Sequence, residues 1–407
     1  MLRDRTGALW LPFTQMDAFA PESRTFVRGE GNYLYDLHQH RVFDAVSSIW
    51  TTIHGHCHPL IVEAISSQAA RLDHATLLGA INPQAARLAE RLCDALDLDY
   101  AFFASDGASA VEAALKMALQ FWQNEGEPGR TRFVRLVDAY HGDTPGAMSL
   151  SDIGLFKSRF GAVTFETLAY GADPALLDRD DVAAVIVEPI VQAAAGMRVV
   201  SAQTYAPLRA MRPLLVVDEI ATGFGRTGTL FAHEQIDLRP DIVCVGKGLT
   251  GGALALSASV VSQRVYDAFR GTHSECKHFF HGHSFSGNPI ACAAALANLD
   301  LFEREATLER VQAVRDAIAP RLLELALNPA VREVRQAGLM IGIELRSERI
   351  DAGGAPTPAW RLTNDLYERG HFTRPIGEVI QLVPPLSSSA DELHAFLSDL
   401  DELLAGS

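Results

Sequence analysis

The sequence predicts an α/β protein in which a mostly parallel sheet carries helices on both faces. Between about residues 100 and 300, short apolar runs alternate with longer segments of helical periodicity, which is the order of elements in α/β folds. The runs are nearly unbroken and rich in β-branched and aromatic residues, as expected of strands that are covered on both faces. Five runs have this character: YAFFAS, RFVRLVD, VAAVIVEP, LLVVDE and DIVCVGKG.

The elements around these runs follow from their own periodicity. After the first run, ASAVEAALKMALQFW places its apolar residues on one face of a helix. Near the N-terminus NYLYDLHQHRVFD predicts a short hairpin, and beyond about residue 305 amphipathic helices flank the strand MIGIELRS. We therefore predict a large domain over residues 46–304 and a smaller α+β domain built from residues 1–45 and 305–407.

Composition excludes several classes of function. The net charge of −15 and the lack of a basic run argue against nucleic-acid binding. The five cysteines are scattered and never form a CxxC pair, which favours reduced thiols over a disulfide framework or a zinc site. The N-terminus lacks the apolar stretch of a signal peptide, and no 18 apolar residues run unbroken. We expect a cytoplasmic enzyme or binding protein without membrane segments.

Polar residues follow the predicted strands at the points where these end. They are Gly107, the segment 140–143, Glu188, Asp218 and Lys247. Open α/β sheets bind their ligands at the carboxyl ends of the strands. The sequence therefore predicts one ligand site that is built from these positions.

Lys247 has glycines on both sides and directly follows a buried strand. Desolvation at such a place favours the neutral, nucleophilic amine that forms a Schiff base with a carbonyl cofactor. Asp218, at the end of another strand, could hold the protonated pyridine nitrogen of pyridoxal phosphate (PLP). The alternatives are a surface lysine and a helix cap.

Two further strand ends suit a phosphorylated, planar ligand. Gly107 and Ala108 open a helix, whose free N–H groups and dipole favour a phosphate, although Ser105 or Asp106 could simply cap that helix. The ring of Tyr140 can stack on a planar cofactor, and its alternative is a tyrosine with a bonded hydroxyl in a loop.

Three other motifs contain polar or glycine residues that a ligand site could use. In HGHSFSGNP, over 281–289, the histidines lack partners at metal-ligand spacing, so we predict no metal and assign the Ser284 hydroxyl to an anion. Arg374 in FTRPIG is either a clamp for a carboxylate or half of a surface ion pair. The glycines of GFGRTG, over 223–228, do not open a βαβ phosphate site, which excludes a Rossmann interpretation.

Taken together, VVDEIATGFGRTG and PDIVCVGKGLTGG resemble the signature of the class III PLP-dependent aminotransferases, which have fold type I. The resemblance spans most of the chain. It is carried by WLPFTQM at 10–16, SSIWTTIHGHCHP at 47–59, FFASDGASAVEAALKMALQFW at 102–122, AYHGDTPGAMSLS at 139–151, VEPIVQAAAGM at 187–197, HGHSFSGNPIACAAALANLDL at 281–301 and TRPIGEVIQLVPP at 373–385. Within the family, these motifs are most similar to the branch that converts 8-amino-7-oxononanoate into 7,8-diaminononanoate in biotin synthesis.

The resemblance implies how the cofactor is held. Lys247 would form the Schiff base with PLP, and Asp218 would hold the pyridine nitrogen so that the ring acts as an electron sink. Tyr140 would stack on the ring. The backbone N–H groups of Gly107 and Ala108 would bind the phosphate.

The resemblance also implies a homodimer with shared active sites, because Ser284 matches a hydroxyl residue that reaches the phosphate across the subunit interface. Phe13, Trp50 and Gly282 match positions of the substrate pocket. Arg374 matches the arginine that meets a substrate carboxylate. Small molecules are then the expected partners, an amino donor and a keto acceptor.

The chain departs from the family pattern at four positions. Ile49 replaces a pocket tryptophan, Phe13 a tyrosine and Gln381 an aromatic residue, while Gln39 replaces a hairpin glycine with structural consequences only. Because the first three substitutions change the substrate pocket, the sequence does not determine the amino donor or the amino acceptor. The candidates are the diaminononanoate-forming transaminase with S-adenosylmethionine or lysine as donor, an ω-amine, diamine or amino-acid transaminase of another pathway, and a PLP-binding protein without catalysis.

Overall fold

A computed structural model of the chain describes residues 8–18, 24–171, 173–351 and 353–406. The strands are β1 (Phe26–Glu30), β2 (Tyr33–Asp36), β3 (Arg41–Asp44), β4 (Tyr100–Ala104), β5 (Arg132–Leu136), β6 (Leu168–Tyr170), β7 (Val182–Val187), β8 (Val191–Gln192), β9 (Arg198–Val199), β10 (Leu214–Asp218), β11 (Ile242–Val245), β12 (Ser257–Val261), β13 (Val331–Ala337), β14 (Met340–Leu345), β15 (His371–Phe372), β16 (Pro375–Ile376) and β17 (Val379–Leu382). The helical segments are α1 (Ser47–Trp50), α2 (Pro59–Arg71), α3 (Pro83–Leu96), α4 (Gly107–Asn124), α5 (Pro145–Ser149), α6 (Gly154–Lys157), α7 (Ala202–Tyr205), α8 (Gln263–Ala268), α9 (Pro289–Arg304), α10 (Thr307–Leu325), α11 (Pro358–Glu368) and α12 (Ala390–Ala405).

The central sheet has seven strands in the order β4-β12-β11-β10-β7-β5-β6. All neighbouring pairs from β11 to β6 are parallel, and only β12 runs antiparallel to both of its neighbours, β11 and β4. The predicted mostly parallel sheet is confirmed, and all five predicted runs are strands of it. Their carboxyl ends therefore meet at one edge.

The sheet is covered on both faces, which explains the nearly unbroken apolar runs. Successive residues of one strand pack into different apolar clusters, as Val216 and Val217 of β10 do, and both are fully buried. Helix α4 packs on β7, β11 and β12, and α3 packs on β4. In the described ranges no helix is both long and apolar enough to cross a membrane.

Two four-stranded sheets hold the ends of the chain. One has the order β1-β2-β3-β15 and joins the predicted N-terminal hairpin to a strand near the C-terminus; the other has the order β13-β14-β17-β16. The first sheet thus places the N-terminal strands beside a C-terminal one, as a small domain that is shared by both chain ends requires. The boundaries at residues 45 and 304 stay a prediction.

The hairpin between β2 and β3 turns at Gln39, the position where the resemblance predicts a glycine. The φ angle of Gln39 is +62°, in the left-handed region that glycine adopts without cost. The Asp36 carboxylate compensates by accepting hydrogen bonds from the backbone N–H groups of His38 and His40, at 2.8 and 2.9 Å. These contacts hold the hairpin around Gln39, and its purely structural role stays a prediction.

Candidate active site

A cavity of about 460 Å³ opens at the carboxyl edge of the central sheet. The predicted strand-end residues all line it. Its wall consists of Trp50, Asp106, Gly107, Ala108, Tyr140, His141, Gly142, Asp143, Thr144, Glu188, Ala194, Asp218, Ile220, Ala221 and Lys247. The cavity thus combines one amine with several carboxylates, an aromatic ring and a helix N-terminus.

Lys247 follows β11 in a tight turn, with a φ angle of +40°. Burial lowers the pKa of its amine to about 8, although the carboxylates of Asp218 and Glu188 act in the opposite direction. Among the described residues its Nζ atom has no hydrogen-bond acceptor, and it lies 4.5 Å from the centre of the Trp50 ring. The site therefore presents an amine that is neutral more often than an exposed lysine.

Asp218 ends β10 and is buried, with 4% of its surface exposed. Its Oδ2 atom lies 2.7 Å from Nδ1 of His141, and its Oδ1 atom accepts a 3.0 Å hydrogen bond from the N–H of Ile220. These contacts fix the carboxylate in one orientation. The contact with His141 was not predicted, because strand-end position alone does not show which side chains meet.

The N-terminus of α4 forms a cradle for an anion. Asp106 caps the helix by accepting a 3.0 Å hydrogen bond from Ser109, so the predicted cap and the predicted phosphate site coexist. Within the described residues the N–H groups of Gly107 and Ala108 have no acceptor. A Cβ atom on Gly107 would lie 2.8 Å from Cγ2 of Ile220, so the space here admits only glycine without a shift. The free N–H groups and the helix dipole favour a phosphate.

Tyr140 follows β5 and is held by its backbone. Its N–H donates a 3.0 Å hydrogen bond to Oε2 of Glu188, whose Oε1 accepts one of 3.2 Å from Ala193. Burial raises the pKa of Glu188 to about 7, and burial with the nearby charge of Asp143 raises the pKa of the Tyr140 phenol. The phenol therefore stays neutral and presents its ring to the cavity.

Trp50 reaches the cavity from α1, a single turn in which all four residues have positive φ angles between 49° and 66°. Left-handed conformation costs about 1–2 kcal/mol per residue outside glycine, so other contacts must hold this turn. Asp44 accepts a 3.0 Å hydrogen bond from the N–H of Ser48, and the buried guanidinium of Arg226 donates one of 2.8 Å to the carbonyl of Thr52. The arginine of GFGRTG thus supports the turn.

Four predicted site residues lie outside this cavity. Gly282 and Ser284 lie in an exposed loop, and Phe13, 60% exposed, packs at 5.2 Å on the ring of Phe156. Arg374 is half-buried; burial lowers its pKa, and its guanidinium has no carboxylate partner among the described residues. Phe156 also lies 5.9 Å from the ring of Tyr140, which makes it a second aromatic residue that the sequence did not indicate.

A metal has no evident place in this arrangement. Over the described part of the chain, no group of three or more histidine, cysteine, aspartate or glutamate side chains is placed to hold an ion. The arrangement instead suits covalent capture of a carbonyl compound by Lys247, with an anion at the start of α4 and a positive charge opposite Asp218.

Comparison with known proteins agrees with this chemistry. The family model for class III aminotransferases matches residues 18–404. The adenosylmethionine-8-amino-7-oxononanoate aminotransferase of Aquifex aeolicus is 39% identical over 96% of this chain and 94% of its own length. The solved structure of the enzyme with that name from Methanocaldococcus jannaschii has a TM-score of 0.93 and 36% identity, and covers 100% of this chain and 99% of its own. An amine transaminase from an uncultivated Pseudomonas species, solved in the PLP-bound form, has a TM-score of 0.90 and 33% identity, with 98% of each chain covered.

Proposed function

The chain belongs to the class III aminotransferases, and from this premise we propose that it aminates 8-amino-7-oxononanoate to 7,8-diaminononanoate in biotin synthesis, with S-adenosylmethionine as donor. The observation that carries the chemistry is the half-buried Lys247 amine, which shares a cavity with Asp218 and the start of α4. The acceptor is inferred from the names of relatives that are 39% and 36% identical to this chain over nearly its full length. A cytoplasmic location stays a prediction, which cell fractionation can check.

The cavity fits PLP as the cofactor. The amine of Lys247 has no hydrogen-bond partner among the described residues, and neither have the N–H groups of Gly107 and Ala108, which line the same cavity. The Asp218 carboxylate is held ready for a protonated ring nitrogen. When bound, PLP withdraws electrons from the amine-bearing carbon of a substrate and so acidifies its proton.

The residues of the chain then have distinct roles in the proposed reaction. Lys247 would hold the cofactor through its neutral amine and, when that amine is free, would act as the general base that moves the proton from the substrate carbon. Asp218 keeps the ring nitrogen protonated. Tyr140 stacks on the ring. The N–H groups at the start of α4 hold the phosphate.

Substrate binding is assigned to Trp50, which lines the cavity, and to Arg374, Phe13 and Gly282, which lie outside it. Arg374 carries an uncompensated positive charge in a half-buried position, which suits the carboxylate of a donor or acceptor. Trp50 covers the amine of Lys247, and Phe13 packs on Phe156 next to Tyr140. Together with Gly282 these aromatic residues would exclude water and select the substrate chain.

A second candidate is a transaminase for simple amines or diamines. It is favoured by the likeness to the Pseudomonas amine transaminase, and by Ile49, Phe13 and Gln381, which change the pocket of the diaminononanoate branch. Ile49 is 39% exposed and Phe13 60% exposed, so both side chains are accessible to a ligand.

Mixing the holoenzyme with one amino donor at a time distinguishes the two candidates. We expect S-adenosylmethionine to convert the absorbance of the bound cofactor to that of its aminated form, and 8-amino-7-oxononanoate to restore it. L-Lysine is tested in parallel as the other donor. If only simple ω-amines convert the cofactor, the second candidate is right and the proposed substrates are wrong.

We further propose a homodimer in which Ser284 serves the partner's active site. Ser284 lies outside the cavity of its own chain, in an exposed loop beside large exposed apolar side chains. These are Leu78 (70% exposed), Ile81 (82%) and Phe285 (61%), and Leu78 Cδ2 would lie 3.3 Å from a Cβ atom on Gly282. Large exposed apolar side chains of this kind are typical of a protein interface.

Hybrid dimers test the sharing of active sites. We expect Ser284→Asp to be inactive, because a carboxylate repels the phosphate, and Lys247→Ala to be inactive for lack of the amine. Heterodimers of the two variants, isolated with two affinity tags, should regain about half of the wild-type kcat per dimer, since one of their two sites is intact. If Ser284 serves its own chain, the heterodimer has no intact site and stays inactive.

A further inference from the structure

Gln381 lies at the centre of a hydrogen-bonded chain that joins the cavity to the segment of Arg374. The Gln381 side chain is buried, with 3% of its surface exposed. Its Oε1 atom accepts a 2.8 Å hydrogen bond from the indole Nε1 of Trp50, and its Nε2 donates one of 2.9 Å to the carbonyl of Arg374. An indole N–H only donates and a carbonyl only accepts, so these partners fix which end of the amide is which.

The strand that carries Gln381 is itself fixed. The hydroxyl of Thr373 donates a 2.6 Å hydrogen bond to the main-chain carbonyl of Gln381. Two residues further on, Val383 holds the start of the strained turn: its N–H donates to the carbonyl of Ala45 at 2.8 Å, two residues before the turn, and its carbonyl accepts from the hydroxyl of Ser47, the first residue of the turn. The amide is therefore presented to Trp50 by a strand that also anchors the turn of Trp50.

At the cavity end of this series of hydrogen bonds, Trp50 covers the reacting amine of Lys247. The Nζ atom of Lys247 lies 4.5 Å from the centre of the Trp50 ring, which is 6% exposed. The orientation of the ring depends on the Gln381 amide, because Gln381 is the hydrogen-bond partner of the indole. Rotation of the ring would both uncover the amine and leave two buried polar groups unpaired.

We propose that Gln381 is a positioning residue, which holds the Trp50 ring over Lys247 and ties it to the main chain of Arg374. Gln381 would then keep a fixed separation between the Trp50 ring, which lies above the reacting amine, and the main chain of Arg374, whose side chain would meet the substrate carboxylate. This inference rests on the proposed roles of Lys247 and Arg374. It gives a function to one of the positions where the chain departs from its family, since only a side chain that both accepts and donates can join the indole to the carbonyl of Arg374.

A purely structural role for Gln381 is the alternative, and Gln68 provides the matched control. Gln68 is equally buried, at 6% exposed, and also uses both ends of its amide, which accepts from Gln84 at 3.0 Å and donates to the carbonyl of Leu72 at 2.8 Å. It lies in α2, outside the cavity. Gln68→Met and Gln381→Met thus remove equivalent hydrogen bonds in different places.

The test measures the single-turnover reaction of the holoenzyme with S-adenosylmethionine or L-lysine, and with cadaverine, the carboxylate-free counterpart of lysine. We expect Gln381→Met and Trp50→Phe each to lower the rate constant about tenfold, and the double variant to be no slower than the slower single one. The loss should be larger for the donors with a carboxylate than for cadaverine. Gln68→Met should lower the melting temperature and react at the wild-type rate.

A second measurement needs no substrate. The pH at which the absorbance of the bound cofactor changes should move by about half a unit or more in Gln381→Met and in Trp50→Phe, and stay constant in Gln68→Met, because only the first two disturb the ring beside the lysine. Additive rate losses, or equal behaviour of the Gln381 and Gln68 variants in both measurements, would overturn the inference. If the wild type reacts with no donor, the proposed function has failed, and the absorbance titration still decides the role of Gln381.

Discussion

Replacing Lys247 with alanine is expected to abolish turnover, with kcat below about 10⁻⁴ of the wild-type value, while the protein stays folded. The variant lacks the amine that would serve both as the nucleophile and as the general base. The fold does not depend on this amine, because Nζ of Lys247 makes no hydrogen bond within the described residues and lies in a cavity. Burial lowers its pKa to about 8, which means that the folded state disfavours the charged amine.

The measurements are steady-state kcat, thermal unfolding and retention of the cofactor. We expect the melting temperature of Lys247→Ala without cofactor to equal or exceed that of the wild-type apoprotein, since the variant no longer buries an ionisable amine. Lys277→Ala, a lysine outside the cavity, is the control and should keep full activity. Undiminished turnover of Lys247→Ala would refute its assignment as the reacting lysine.

The position of this site was predictable from sequence because it follows from strand polarity. Parallel strands that are covered on both faces appear as unbroken apolar runs, and the residue after each run must lie at the same edge of the sheet. For this reason the sequence alone indicates five residues at this edge, and all five line one cavity: Gly107, Tyr140, Glu188, Asp218 and Lys247.

Contacts between segments that are distant in sequence were not predictable. Strand β12 consists of SASVV, whose first three residues are small and carry weak strand propensity, and the sequence did not indicate it although it lies between β4 and β11 in the sheet. The pairing of His141 with Asp218 and of Gln381 with Trp50 depends on side-chain geometry across 77 and 331 residues of chain. The left-handed turn at Ser47–Trp50 contradicts local propensity, and tertiary hydrogen bonds hold it.

The second large effect is expected at Asp218, where asparagine keeps the shape of the side chain and removes its charge. We expect kcat of Asp218→Asn to fall about 10²–10³-fold, because a neutral amide no longer stabilises the protonated ring nitrogen on which the electron sink depends. The Oδ1 of asparagine still accepts from the N–H of Ile220, but its amide and Nδ1 of His141 must adopt compatible donor and acceptor roles. Melting temperature should change little by comparison.

The control variant Asp241→Asn distinguishes the loss of charge beside the cofactor ring from the loss of any buried carboxylate. It lies at the opposite end of β11, where burial raises its pKa, and it accepts hydrogen bonds from the N–H of Leu215 at 2.9 Å and from Arg264 at 3.2 Å. Asp241→Asn removes a comparable charge far from the cavity, so it should cost stability and leave kcat unchanged. Stopped-flow measurement of both variants with one amino donor makes the comparison direct. If both lose kcat equally, the charge of Asp218 supports the fold rather than the reaction; a selective loss at Asp218 assigns that charge to the cofactor ring.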